Sequence, residues 1–300
     1  YEHLKNVRRR LSFRGVSEIL EKLSHHLYDA IFKEDQSIHS DEILKYLNEA
    51  KKIIVEKHNG LFLHLLEDFE DRVKIFGTHF ATLDIRQDSR VHQGIIDDIL
   101  TKKSGLEIEK ISEEEKLNWL LNTNLVLDPN DFEGITKDTL ENINNIKNIQ
   151  KRNGERGMSR YIISNSDHIK EVLNVFALFK LCGYQEEEIN IDIVPLFETM
   201  EGLEAGENVM KELYNFPIYR RHVERRGNEQ TIMLGVSDGT KDGGYLKANW
   251  EIYETKEQLT KVSEDYGIKV IFFDGRGGPP ARGGGKEKKK KKSQGKTIAN

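Results

Sequence analysis

Cysteine occurs once, at Cys182, so this chain can close no internal disulfide and build no cysteine-based zinc site. Proline is also scarce: five residues in 300 exclude a proline-rich linker protein. No uninterrupted apolar stretch approaches the roughly 18 residues of a membrane-spanning helix, and no signal peptide opens the sequence. These absences predict a soluble chain in a reducing, cytoplasmic setting, with no membrane partner. A basic excess is missing too, since 46 Lys+Arg stand against 51 Asp+Glu for a net charge of −5. Residues 286–300 hold seven lysines and one glutamate, which leaves −11 on residues 1–285. An acidic body with a basic tail is a poor match to a nucleic-acid binder, whose positive charge tracks a groove of the fold. The lysine run 288–292 reads as a solvated, disordered tail.

What is present suffices for a sizeable core, because 37% of the residues are hydrophobic and 8% aromatic. The length fits two domains or one large domain such as an α/β barrel. The first residue is Tyr1 rather than Met, so the chain is expected to be a piece of a longer one. Residues 1–77 read as a helical region. Apolar positions recur at helical spacing in Val16, Ile19, Leu20, Leu23 and Leu27, and again in Leu44, Leu47, Ile53 and Ile54, with Ser40-Asp41-Glu42 as a cap between them. Residues 78–285 change character. Phe80–Arg86 is a short strand-like run followed by a helix over 91–100; Ser112 and Glu115 form a capping box; and Thr136–Asn153 is a helix stopped by Gly154.

From Tyr161 onward strands alternate with helices. Strands are expected over 161–164, 189–197, 231–236 and 267–273, and Ser166-Asp167 caps the apolar helix that runs to Cys182. Such alternation predicts a parallel sheet, hence an α/β fold. Each strand also finishes on polar residues: Asp84, Arg86 and Gln87; Ser164 and Asn165; Glu198; Asp238 and Lys241; Asp274 and Arg276. A β/α barrel carries its chemistry on the loops leaving the carboxyl ends of its strands. Five strands are visible where a closed barrel has eight, so the expectation is a partial TIM-type barrel with extensive surrounding helices.

Glu198 and Asp238 are the candidate metal ligands, because two carboxylates with waters suit Mg²⁺ or Mn²⁺. The competing structural reading makes them helix caps at βα turns. The segment from Asp274 to Gly285 places Arg276 and Arg282 in a glycine-rich turn, which suits an anion. It is neither a dinucleotide fingerprint, since Pro280 stands where the last glycine belongs, nor a P-loop, since Glu287 stands where Ser or Thr belongs. His25, His26, His79, His92 and His222 show no metal-ligand spacing, and Cys182 reads as core packing. His92 lies nearest a strand end.

The strings LDIRQDSRVH (83–92), VPLFETMEGLEAG (194–206), MLGVSDGTKDGG (233–244) and FFDGRGGPPARGGG (272–285) resemble, in order and spacing, signature segments of phosphoenolpyruvate carboxylase. The resemblance covers roughly residues 78–285. It implies a β/α barrel within a large helical protein, usually a homotetramer, that converts phosphoenolpyruvate and bicarbonate to oxaloacetate and phosphate. It assigns Glu198 and Asp238 as ligands of Mg²⁺ or Mn²⁺ and Arg86, Arg276 and Arg282 as anion-binding residues. Lys241 becomes a supporting active-loop residue, and a carboxylate effector is implied near Arg282. Asp274 stands where many members carry histidine in F-H-G-R-G-G, and is kept as a catalytic candidate. The family's upstream T-A-H-P-T segment is not among these 300 residues, so the isolated chain is expected to be inactive. The rival readings are another metal-dependent enolate lyase of the phosphoenolpyruvate/pyruvate barrel type and a non-catalytic anion-binding module.

Overall fold

A computed structural model describes residues 1–33, 35–235 and 244–275. The chain forms two compact units. The first comprises residues 1–83 with 145–159; the second comprises 84–144 with the described residues from 160 onward.

The first unit is built on helices α1 (Glu2–Arg10), α2 (Val16–Phe32), α3 (Ser40–His58) and α4 (Leu63–Phe76). Their apolar stripes meet in one core in which Leu4, Leu11, Val16, Leu20, Leu23, Leu47, Ala50, Ile54 and Leu66 are fully buried. The spacing of those residues along each helix is the 3.6-residue period read from the sequence. The cap of α3 differs from expectation: His39 is the N-cap residue and makes no side-chain capping bond, while Ser40 already belongs to the helix. Asp41 and Glu42 favour that terminus through the helix dipole.

The second unit contains a five-stranded sheet in the order β1-β2-β3-β4-β5. The strands are β1 (Leu83–Asp88), β2 (Met158–Ser164), β3 (Asp192–Phe197), β4 (Glu229–Gly235) and β5 (Lys269–Gly275). Pairs β2–β3, β3–β4 and β4–β5 are parallel. The helices between them are α5 (Ser89–Lys103), α6 (Glu113–Asn122), α7 (Gly134–Asn153), α8 (Ile169–Leu181), α9 (Met200–Asn215), α10 (Pro217–Arg225) and α11 (Tyr245–Asp265). Among the described residues no helix is long and apolar enough to cross a membrane.

Local chemistry explains the boundaries. The capping box of α6 forms as expected, Ser112 N–H donating to Glu115 Oε2 at 2.7 Å and Glu115 N–H to Ser112 Oγ at 3.2 Å. Helix α8 starts two residues later than its Ser-Asp signal. The buried Ser166 hydroxyl is spent on the Ile163 carbonyl at 2.8 Å, and His168 becomes the N-cap, its N–H bound by Glu171 Oε2 at 2.7 Å. Strand β1 also starts late, because Phe80 adopts a φ of 64° that breaks an extended run. Asp84 is therefore the second residue of β1, with its carboxylate 3.7 Å from Arg160, and Asp88 is the residue that ends the strand.

Spatial order follows chain order without reversal, so among the described strands there is no switch point of the doubly wound kind. The sheet is also curled. Register places Ile162, Val194, Leu196, Met233 and Phe273 on one face as a small apolar cluster. Over that face the Arg86 guanidinium of β1 lies 5.7 Å from the Phe273 ring centroid of β5. In a flat sheet these edge strands would stand about 19 Å apart, four spacings of about 4.8 Å. The amino ends of β3 and β4 are tied by a buried network in which the Tyr219 hydroxyl donates to Gln230 Oε1 at 2.6 Å and Gln230 Nε2 donates to the Ile193 carbonyl at 3.1 Å.

Candidate active site

The inner cluster fixes which residues face inward at the carboxyl ends of the strands. Leu196, Met233 and Phe273 form one row. Two residues further along each strand, on the same face, come Glu198, Gly235 and Gly275. This next row holds one carboxylate and two residues without side chains. A Cβ built on Gly235 would lie 2.5 Å from Glu198 Cβ and 3.5 Å from Glu198 Oε2, and one built on Gly275 would lie 2.7 Å from Met233 Cε. The absence of side chains at Gly235 and Gly275 therefore lets Glu198 and Met233 pack directly against these strand ends, above the apolar row of Met233 and Phe273. The Glu198 carboxylate is a hard oxygen donor of the kind that Mg²⁺ or Mn²⁺ selects. Among the described residues no group of three or more His, Cys, Asp or Glu gathers as a complete metal site. The second sequence candidate, Asp238, lies outside the described residues, as do Lys241, Arg276 and Arg282.

Two of the sequence candidates do share the inner side of the sheet. Arg86 reaches the row of Phe273, one step below Glu198. Asp274 takes the other side. It pairs in register with Leu234, between inward Phe273 and Gly275, and its carboxylate is 2.7 Å from the ammonium of Lys256 on α11.

A polar group, of which the sequence singled out only Asn165, lies at the mouth formed by the carboxyl ends of β1 and β2. Asp88 caps α5 and is gripped by Arg90, whose Nε donates to Oδ1 at 2.9 Å and whose terminal nitrogen donates to Oδ2 at 2.6 Å. Asn165 Nδ2 donates to Asp88 Oδ2 at 3.0 Å, and the Asn165 carbonyl accepts from Ser89 Oγ at 2.8 Å. Asn165 has a φ of 53°, a conformation that asparagine tolerates better than most residues. The Arg90 contact holds the Asp88 carboxyl below its usual range. The same contact with Asp88 and, secondarily, the nearby charge of Glu198 raise the pKa of Arg90 above its ordinary value. The signal for Gly235 was present in the sequence, since a glycine inside a strand marks close backbone approach.

His92, the histidine nearest a strand end, is not at the mouth. It is fully buried, with Nε2 2.8 Å from the Tyr161 hydroxyl, and burial pushes its pKa down to about 4. An unfolded histidine titrates near 6.5, so the unfolded chain binds the proton first. The stabilisation is complete above about pH 6.5 and is lost as pH falls from there towards 4. His222, pushed down to about 3 chiefly by burial, acts with the same sign. We therefore expect His92→Leu/Tyr161→Phe, which removes both polar partners, to make the decline of the urea midpoint between pH 6.5 and 4 shallower; an unchanged slope would contradict this.

The comparisons agree with the motifs. The phosphoenolpyruvate carboxylase family model matches residues 2–297. Similar curated proteins include the phosphoenolpyruvate carboxylases of Nitrosomonas europaea (36% identical over 224 residues, 71% of this chain and 24% of the relative) and of Nitrosomonas eutropha (34% over 231 residues, 73% and 25%). That of Gloeobacter violaceus is 31% identical over 253 residues, 78% of this chain and 27% of the relative. The chain thus spans about a quarter of the length of these relatives. A family match over nearly the whole chain, with the four motifs in order, places this protein in the phosphoenolpyruvate carboxylase family, a family of carboxy-lyases.

Proposed function

We propose that this chain carries part of the catalytic barrel of a phosphoenolpyruvate carboxylase, with residues 78–285 as the catalytic region. The observation that carries the reading is the row Glu198–Gly235–Gly275 over an apolar floor, at the carboxyl ends of parallel strands in consecutive order, with Arg86 on the same side. Consecutive order and curl also support a partial TIM-type barrel. In this reading the protein is cytoplasmic and the full-length carboxylase is a homotetramer, with a carboxylate effector bound near Arg282.

Glu198 and Asp238 would hold Mg²⁺ or Mn²⁺, which when bound supplies Lewis-acid stabilisation of the enolate oxygen. Arg86, with Arg276, Arg282 and Lys241 from the loops, binds the phosphate and carboxylate of phosphoenolpyruvate. As a bicarbonate oxygen bonds to phosphorus and the enol C–O–P bond breaks at its O–P link, these cations balance the charge of the phosphoryl group in flight. Each well-placed donor of this kind is typically worth about 2.7–4 kcal/mol of barrier. The products of that step are carboxyphosphate and the pyruvate enolate. Carboxyphosphate then splits into CO₂ and phosphate, and the enolate carbon bonds to CO₂. Phe273 and Met233 make the floor apolar, which keeps water from carboxyphosphate.

The test is oxaloacetate formation, followed with malate dehydrogenase and NADH. We expect turnover from the full-length carboxylase bearing this sequence and none from the 300-residue chain, which lacks the T-A-H-P-T histidine. Turnover by the isolated chain would show that histidine to be dispensable, and a full-length protein without turnover would overturn the reading.

A further inference from the structure

Lys256 on α11 is 4% exposed, and lysine is almost never so buried unless paired. Its ammonium lies 2.7 Å from Asp274 Oδ1 and 5.6 Å from the centre of the Phe272 ring. Taking an ammonium out of water is costly even after the attraction of its partner is counted, and a leucine or methionine would fill the same space without that cost. A buried charge at this position therefore calls for a role other than packing.

The surroundings supply one. Asp274 is in register with Leu234, and the next pair outward is Gly235 with Gly275. Two paired glycines have wide backbone freedom and no side chains to pack, so the ends of β4 and β5 have little of their own to fix them. They must nevertheless be fixed, because Glu198 is seated against Gly235: a Cβ there would approach Glu198 Cβ to 2.5 Å and Glu198 Cα to 3.2 Å. The ion pair grips β5 one residue before its glycine, from the helix side. An unbroken series of contacts then runs from Lys256 through Asp274, Gly275 and Gly235 to Glu198.

We propose that Lys256 is a positioning residue for the Glu198 carboxylate, acting through Asp274 and the glycine-paired ends of β4 and β5. The inference rests on the reading of Glu198 as a metal ligand. Its test uses the full-length carboxylase bearing this sequence, with Mn²⁺ affinity read from the electron paramagnetic resonance of free Mn²⁺ and melting temperature measured in parallel. Outer-shell changes at metal sites typically cost 10–100-fold in affinity. Lys256→Met should therefore weaken Mn²⁺ binding about tenfold or more, and Lys256→Arg, which keeps the ion pair, should stay within about threefold of the parent protein.

If Lys256→Met is too unstable to assay, Lys256→Met/Asp274→Asn removes both charges and restores folding. Its Mn²⁺ affinity should remain reduced, because the grip on β5 is still missing. Parent-like Mn²⁺ affinity in either folded variant would overturn the proposal. A Glu198→Gln protein that binds Mn²⁺ as tightly as the parent would instead overturn the ligand assignment on which it rests.

Discussion

Glu198→Gln in the full-length carboxylase is expected to lower kcat by about 10²–10³-fold and to raise the Mg²⁺ concentration needed for half-maximal rate. The substitution keeps the size of the side chain while replacing a carboxylate oxygen with an amide nitrogen. Hard cations such as Mg²⁺ and Mn²⁺ select oxygen ligands, so the loss falls on the proposed metal ligand. The rate figure corresponds to removing about 2.7–4 kcal/mol of transition-state stabilisation. The melting temperature should barely move, because Glu198 is only half-buried at the carboxyl end of β3 and anchors no core cluster. Steady-state rates across a Mg²⁺ titration provide the check. Unchanged activity at limiting Mg²⁺ would remove Glu198 from the site.

Gly235→Ala is expected to reach a comparable loss of activity by a steric route. The new methyl group would sit 2.5 Å from Glu198 Cβ and 3.2 Å from its Cα, so the backbone of one strand end has to move. Forcing extra volume into a packed site typically costs about 1–3 kcal/mol. Here the displacement falls on the carboxylate, and a misplacement of about 1 Å can cost about 10²-fold in rate. Gly275→Ala is the internal control. Its nearest obstacle, at 2.7 Å, is the terminal methyl of Met233, which a flexible side chain can swing aside, although the Leu234 carbonyl at 3.3 Å keeps the fit tight. We expect Gly275→Ala to lose less activity than Gly235→Ala and to keep most of its melting temperature. Equal losses in the two variants would argue against a specific seat for Glu198.

Much of this was written in the sequence in local form. The parallel sheet followed from alternating apolar runs and helical patterns, the capping box of α6 from Ser112 and Glu115, and the metal candidate from a carboxylate placed just after Phe197. What was illegible depends on register. Period-two alternation says that Phe273 and Asp274 face opposite ways, but not which of them faces inward; the pairing of Met233 with Phe273 and the ion pair to Lys256 decide that. Lys256 carried no signal, being one lysine in a charged helix whose buried stripe is set by packing on α9 and β5. Helix α10 was missed because Pro217 opens it directly after α9, and its three arginines and one glutamate hide the buried Tyr219, His222 and Val223. Asp88 and Arg90 sit inside the LDIRQDSR motif, yet their grip on each other and on Asn165 joins residues 77 positions apart.

The central claim, that Arg86 and Glu198 belong to a site that moves a phosphoryl group from phosphoenolpyruvate to bicarbonate, is tested most directly by oxygen isotope transfer. The full-length carboxylase would be supplied with phosphoenolpyruvate and ¹⁸O-labelled bicarbonate, and the products analysed by mass spectrometry before exchange with water. Attack by a bicarbonate oxygen on phosphorus predicts one labelled oxygen in each phosphate released, matched by one oxaloacetate. Unlabelled phosphate accompanied by pyruvate would mean that water, not bicarbonate, attacks, and would contradict the account.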